Sequence, residues 1–89
     1  MKVSVEISMY PLREKYCLPI IDFIDRLDQQ TNVSIQRNSM STHIYGDYRA
    51  VMDTLDTEML AVLEQIPETV FVLKLIGTDR EKAVIDACE

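Results

Sequence analysis

The sequence predicts one α+β domain in which a four-stranded antiparallel sheet carries two helices on one face. Three observations predict this architecture. Short segments alternate apolar and polar residues, as strands do. Two longer segments repeat apolar residues every three or four positions, as helices do. The elements follow one another in the order βαββαβ, and 89 residues suit a single domain with a modest core.

The first strand and the first helix follow from periodicity. Residues 3–9 alternate strictly, and Pro11 ends the strand because proline cannot donate to a sheet ladder. Residues 16–30 repeat apolar positions at helical spacing, so a helix is expected there, beginning close to Leu18. Its expected inner residues are Cys17, Ile20, Ile21, Ile24 and Leu27.

The second and third strands are predicted at residues 33–37 and 41–45, joined by a bend at residues 38–40. Gly46 follows the third strand and permits a positive φ or a close backbone approach. Asp47 is a good N-cap for the next helix.

That second helix is predicted over residues 48–65, and Pro67 stops it. Its expected inner residues are Met52, Leu55, Met59, Val62, Leu63 and Ile66, and its expected solvated residues are Asp53, Asp56 and Glu58. Residues 69–76 are predicted as a fourth strand that is apolar on both sides except at Lys74, which indicates either cover on both faces or an edge shared with another subunit. A short terminal helix is expected over residues 80–88.

With right-handed crossovers, this element order gives the ferredoxin-like βαββαβ sandwich. We expect five apolar residues between the sheet and the helices: Ile7, Ile24, Ile44, Leu55 and Leu73. Strand parity places a mixed polar and aromatic set on the uncovered face: Ser4, Glu6, Ser8, His43, Tyr45 and Lys74. Faces of this kind usually meet another sheet or a ligand.

Composition argues against several functions. The net charge is −6 and no Lys/Arg cluster is present, so we expect no nucleic-acid binding. No stretch approaches the ~18 apolar residues of a membrane span. The N-terminus has no signal-peptide pattern, and Cys17 and Cys88 suggest neither a disulfide framework nor a metal motif, so a cytoplasmic protein is expected.

The chain also lacks the patterns of catalytic sites, and we expect no enzyme and no cofactor. His43 is the only histidine, and its place in a strand favours a structural role with Ser41 or Glu6 as hydrogen-bond partners. The whole chain has only two glycines, so a glycine-rich phosphate-binding loop is excluded. An acylphosphatase-type anion loop would need glycines beside Arg13, and none is there.

One pattern does point to binding. Residues 39–47 concentrate hydroxyls, an imidazole and a carboxylate around the third strand, which the fold places beside the first strand. The candidate ligand-binding residues on these strands are Glu6, Ser8, Tyr10, Thr42, His43, Gly46 and Asp47. Exposed polar strands without a ligand remain the alternative, and helix capping is the favoured role of Asp47.

Two runs carry a family resemblance. Residues 6–12 read E-I-S-M-Y-P-L and residues 40–47 read M-S-T-H-I-Y-G-D. They resemble motifs on the first and third strands of the YkoF-type thiamine/hydroxymethylpyrimidine-binding family, and the resemblance spans roughly residues 3–76. It implies a ferredoxin-like fold, self-association through sheets, and binding of thiamine or its pyrimidine moiety.

Two functional hypotheses follow. In the first, the protein is a binding module for a thiamine-like small molecule, because carboxylates and hydroxyls suit an aminopyrimidine, and acids and aromatics suit a thiazolium cation. In the second, the polar sheet face only builds an oligomer, as a dimer or a tetramer.

Overall fold

The computed structural model describes residues 1–82 and confirms the predicted βαββαβ order. The elements are β1 (Lys2–Pro11), α1 (Cys17–Asp28), β2 (Ser34–Arg37), β3 (Thr42–Asp47), α2 (Tyr48–Gln65) and β4 (Thr69–Ile76). The strands form one antiparallel sheet in the order β2-β3-β1-β4. This is the ferredoxin-like arrangement that the sequence predicts.

The central strand β1 forms the middle of the core. It pairs with β3 on one side and with β4 on the other. Its inward residues Val3, Val5 and Ile7 are buried, and Ile44 of β3 is buried beside them. Each such side chain stabilises the fold by about 1.5–3 kcal/mol when fully removed from water.

The inner face of α1 differs from the prediction. Phe23 and Leu27 are its buried residues, whereas Ile21 is half exposed. The Phe23 ring packs against Phe71 of β4 with ring centroids 5.5 Å apart. The helix is therefore rotated so that its one aromatic residue, with its large apolar area, enters the core. The predicted inner residues that lie outside the core or only at its margin are Cys17, Ile20, Ile21 and Ile24.

The inner face of α2 holds a second correction. Glu58, predicted on the solvated side, is 8% exposed, and its Oε2 lies 2.6 Å from Arg26 Nε of α1. Glu58 follows buried Thr54 by one turn, so it lies on the inner stripe, and the ion pair with α1 permits its burial. Leu63, predicted inside, is exposed.

The fourth strand is an edge strand, and this accounts for a third correction. Leu73, predicted in the core, is 41% exposed because β4 lies at the edge of the sheet and pairs only with β1. Exposed apolar residues occur on both faces of β4: Val70, Val72, Leu73, Leu75 and Ile76.

Residues 78–81 cross one end of the open sheet face. Ser4 Oγ donates to the Thr78 carbonyl at 2.8 Å and accepts from the Arg80 N–H at 2.8 Å, while Ser34 Oγ donates to Glu81. Ser4 and Tyr45 are consequently buried although they point away from the helices. The remaining end of this face, around Glu6, stays open. Most of the predicted helix over residues 80–88 lies outside the described residues.

Within residues 1–82, no helix is both long and apolar enough to cross a membrane.

Candidate functional site

The two motif runs meet at a groove at one end of the sheet. β1 and β3 pair only as far as Ile7 and Thr42, because the chain before Thr42 turns back toward β2. Residues 8–11 of β1 continue to pair with β4 on the other side. The opening between β1 and the β2–β3 hairpin is a groove of about 460 Å³. It is lined by residues 7–12, residues 38–42 and the α1 side Tyr16, Ile20, Phe23 and Ile24.

The hairpin at this groove is held by one asparagine. Asn38 Oδ1 accepts hydrogen bonds from the backbone N–H groups of Met40, at 2.7 Å, and Ser41, at 3.0 Å. The Asn38 N–H also donates to the Ser41 carbonyl at 3.1 Å. Asparagine commonly stabilises turns in this way. Ser8 Oγ of β1 donates to the Met40 carbonyl at 3.4 Å, so the hairpin tip is tied to the opposite wall.

The β1 wall of the groove offers backbone groups as well as side chains. No backbone hydrogen bond within the described part of the chain joins residues 8–11 to the hairpin. Alternate N–H and C=O groups of a strand point to its two sides, so those on the β3 side of this segment face the groove. The groove therefore combines apolar walls with directional hydrogen-bonding groups, as small-molecule sites do.

A polar cluster lies beside the groove on the open face, and we call it the Glu6 cluster: Glu6, Ser41, His43, Tyr45 and Lys74. His43 and Lys74 are the register partners of Glu6 on the two neighbouring strands. Glu6 Oε2 lies 3.1 Å from Ser41 Oγ and 3.2 Å from His43 Nε2, and Glu6 Oε1 lies 3.4 Å from Lys74 Nζ. His43 Nδ1 lies 3.1 Å from the Tyr45 hydroxyl.

One arrangement of protons satisfies these contacts. An ionised carboxylate only accepts, so His43 donates to Glu6 from Nε2. In the neutral imidazole, Nδ1 is then the acceptor and receives the hydroxyl proton of Tyr45. Ser41 donates to the same Glu6 oxygen. The cluster is thus a chain of donors that ends on one carboxylate.

The ionisation of the cluster follows from its contacts. The hydrogen bond from Ser41, together with Lys74 and His43, holds the pKa of the Glu6 carboxyl below its usual value. Burial, and then the carboxylates of Glu81, Asp79 and Glu6, raise the pKa of Tyr45. At neutral pH, Glu6 is therefore a carboxylate and Tyr45 a phenol that can donate.

The structure brings some of the candidate residues together and separates others. Glu6 and His43 share the Glu6 cluster, while Ser8, Tyr10 and Thr42 line the groove. Ser41, which the candidate set lacks, belongs to both, because it lines the groove and hydrogen-bonds to Glu6.

Gly46 and Asp47 lie at the opposite end of β3, opposite Val3 and Lys2. Four residues of strand, about 13 Å, separate Asp47 from His43, so Asp47 does not reach the groove of its own chain. Asp47 does occupy the N-cap position of α2, but its side chain makes no capping hydrogen bond and lies 3.7 Å from Lys2 Nζ. The expected capping contact is therefore not formed.

The sequence analysis did not identify the α1 residues that line the groove, nor the Asn38 hydrogen bonds that hold the β2–β3 hairpin. The pair Asn38-Ser39 could have indicated this turn, since Asn and Ser are typical turn residues. Metal binding gains no support: no group of three or more His, Cys, Asp or Glu within residues 1–82 is placed to hold an ion.

Solved structures share this fold at low sequence identity. Protein SP2199 of Streptococcus pneumoniae is 20% identical with a TM-score of 0.72, over 99% of this chain and 97% of that chain. TM0486 of Thermotoga maritima, a proposed thiamine biosynthesis/salvage protein, is 18% identical with a TM-score of 0.67, over 99% and 95%. A domain of unknown function from Bacillus cereus is 19% identical with a TM-score of 0.66, over 97% and 85%.

These three likenesses establish the fold alone, and no curated protein gives a significant match. A family model, by contrast, matches residues 2–76, which covers all six elements and both motif runs. The chain belongs to the YKOF-related family.

Proposed function

We propose that this protein binds thiamine or its hydroxymethylpyrimidine moiety in the groove and catalyses no reaction. One observation carries the proposal: residues 7–12 of the first motif run and residues 40–42 of the second line the same groove, where β1 has a free edge. The family and the thiamine-related name of the Thermotoga maritima relative support the choice of ligand.

The chemistry of the groove suits an aminopyrimidine. Its ring nitrogens accept and its amine donates, and the groove offers both kinds of partner through the β1 edge and the hydroxyls of Ser8, Ser41 and Thr42. The apolar walls suit the faces of a flat ring. The volume of about 460 Å³ lies within the range of small-molecule sites.

The mouth of the groove suits the cationic half of thiamine. Tyr10 and Tyr16 are half exposed and line the groove, so either ring can stack on a thiazolium cation. The ionised Glu6 carboxylate is linked to the groove through Ser41 and attracts the same positive charge.

The absence of catalysis is part of the proposal. In a nucleophilic triad, the hydroxyl and the carboxylate contact different nitrogens of the histidine. Here Ser41 Oγ and Glu6 Oε2 both lie near Nε2 of His43, at 3.3 and 3.2 Å. His43 is the only histidine of the chain, so the geometry favours hydrogen bonding over activation of Ser41.

We also propose that the protein self-associates in the cytoplasm as a dimer or tetramer. The exposed apolar residues of β4 support this, because long apolar edge strands seldom remain uncovered. The same observation favours the second candidate function, an oligomeric interaction module without a small ligand.

Calorimetry and thermal denaturation with thiamine and free hydroxymethylpyrimidine separate the two functions. A ligand at about 100 times its Kd stabilises the fold by about 2.7 kcal/mol. Thr42→Val removes a hydroxyl from the groove, and we expect binding to weaken about two- to tenfold. Thr54→Val is the matched control, because Thr54 is equally buried but lies in α2 away from the groove.

The two outcomes exclude each other. No heat and no stabilisation of the wild type by either compound at millimolar concentration would leave the interaction module as the function. Binding that is weakened by Thr42→Val and retained by Thr54→Val would establish the groove as the site.

A further inference from the structure

A second groove, of about 430 Å³, lies on the other side of α1 from the first. Its apolar lining consists of Met9, Leu18, Pro19, Val62 and Ile66. Its polar lining consists of Arg13, Lys15, Arg26, Asp22 and Gln65. Three cations and one carboxylate line this groove, and one of the cations, Arg26, is already paired with Glu58.

Two cations of this groove, Arg13 and Lys15, differ from the other basic residues. Between residues 1 and 76 the other basic side chains each have a carboxylate within 4.0 Å, in the pairs Lys2–Asp47, Arg26–Glu58, Arg37–Asp28, Arg49–Asp53 and Lys74–Glu6. Arg13 and Lys15 have none among the described residues, and both line this groove. Uncompensated positive charge is therefore concentrated at one place.

Arg26, which also lines the groove, has one buried donor without a partner within residues 1–82. Its Nε is held by Glu58 at 2.6 Å, whereas its Nη2 is shielded from water and has no hydrogen-bond partner among the described residues. A buried donor without an acceptor is costly, so the hydrogen bonds of this guanidinium are incomplete beside the groove.

The N-terminus of α1 adds to the positive potential at this groove. Tyr16 at the N-cap makes no side-chain capping bond, and the first turn contains no acidic residue. The positive end of the helix dipole is therefore not neutralised locally.

We propose that this second groove binds a small organic anion, with a phosphate or carboxylate group held by Arg13 and Lys15 and an apolar body against Leu18 and Val62. This site is independent of the proposed thiamine groove, since the two linings share only Met9.

The experiment is a titration of the ¹⁵N-labelled protein with phenyl phosphate, and in parallel with benzoate, which separates a phosphate from a carboxylate preference. We expect amide shifts centred on residues 13–19 and affinity that falls as NaCl is added. The double variant Arg13→Gln/Lys15→Gln should bind about tenfold more weakly. Lys2→Gln/Arg49→Gln is the control, because it removes the same charge from exposed residues elsewhere and should bind like the wild type.

Three results would overturn the proposal. The first is the absence of shifts with both anions at millimolar concentration. The second is an equal loss of affinity in the two double variants, which would mean that net charge alone governs binding. The third is a set of shifts centred away from residues 13–19.

Discussion

The Ser41 hydroxyl donates a hydrogen bond to Glu6 Oε2 at 3.1 Å, across the boundary at which β1 and β3 stop pairing. This contact joins the groove, which Ser41 lines, to the ionised cluster on the open sheet face. A ligand that displaces or reorients the Ser41 hydroxyl therefore alters the surroundings of the Glu6 charge. We therefore expect any ligand binding in the groove to depend on the ionisation of Glu6.

The first prediction concerns acid stability. The folded pKa of Glu6 is lowered below 4.5, so its contribution to stability is present above the unfolded pKa and is lost as pH falls through the folded pKa. Glu6→Gln lacks this contribution at every pH. We expect the wild type to be more stable than Glu6→Gln at neutral pH, with a difference that shrinks below about pH 4.5.

Urea denaturation across this pH range measures the effect, and Glu64→Gln serves as its control because Glu64 is an exposed carboxylate outside the cluster. A difference between wild type and Glu6→Gln that stayed constant with pH, or that Glu64→Gln reproduced, would contradict the role assigned to the cluster.

The second prediction separates the core from the edge strand. Leu55 is buried between α2 and the sheet, and Leu55→Ala should cost about 2–5 kcal/mol. Leu73→Ala should cost clearly less in the monomer, because Leu73 is 41% exposed. Leu60→Ala on the outside of α2 is the control and should change the free energy of unfolding by less than about 0.5 kcal/mol. Equal losses for Leu55→Ala and Leu60→Ala would mean that the register of α2 is wrong.

The strands could be predicted because the alternation of apolar and polar residues agrees with the positions of the residues that end each element. Residues 3–9 admit one inward set, and Pro11 and Pro67 end their elements for local steric reasons. The rotation of α1 about its axis could not be predicted, since its apolar residues form two overlapping stripes. Which stripe enters the core depends on Phe71 of β4, a tertiary partner that periodicity cannot supply.

The candidate site was predictable in the same limited way. Sheet topology places Glu6 beside His43, so the polar cluster follows from strand order and parity. The groove depends instead on the point at which β3 separates from β1. The hydrogen bonds of Asn38 to the backbone of Met40 and Ser41 set that point locally. Asp47 follows Gly46 in the motif, yet the length of β3 carries it to the far end of the sheet.

The third prediction concerns assembly. We expect light scattering at micromolar concentration to give a dimer or tetramer of the 10.3 kDa chain. Val72 is exposed on the open face of β4, so Val72→Lys should shift the protein toward monomer by placing a charge in an apolar contact. Leu60→Lys adds the same charge to α2 and should leave the mass unchanged. A wild-type mass of one chain would refute self-association.

The last prediction distinguishes the two acids of the motif runs by their place in the fold. Glu6 is linked to the groove through Ser41, so Glu6→Gln should weaken thiamine binding, and it should do so more than it weakens binding of the uncharged pyrimidine moiety. Asp47 lies at the other end of β3, so Asp47→Asn should bind both compounds like the wild type. Its unfolding free energy should also change little, because asparagine suits an N-cap and the contact with Lys2 is exposed. Calorimetry on the three proteins, at matched ionic strength, gives the comparison. Equal binding by Glu6→Gln and wild type would remove Glu6 from the site, whereas loss of binding in Asp47→Asn would require that a second protomer bring its Asp47 to the groove.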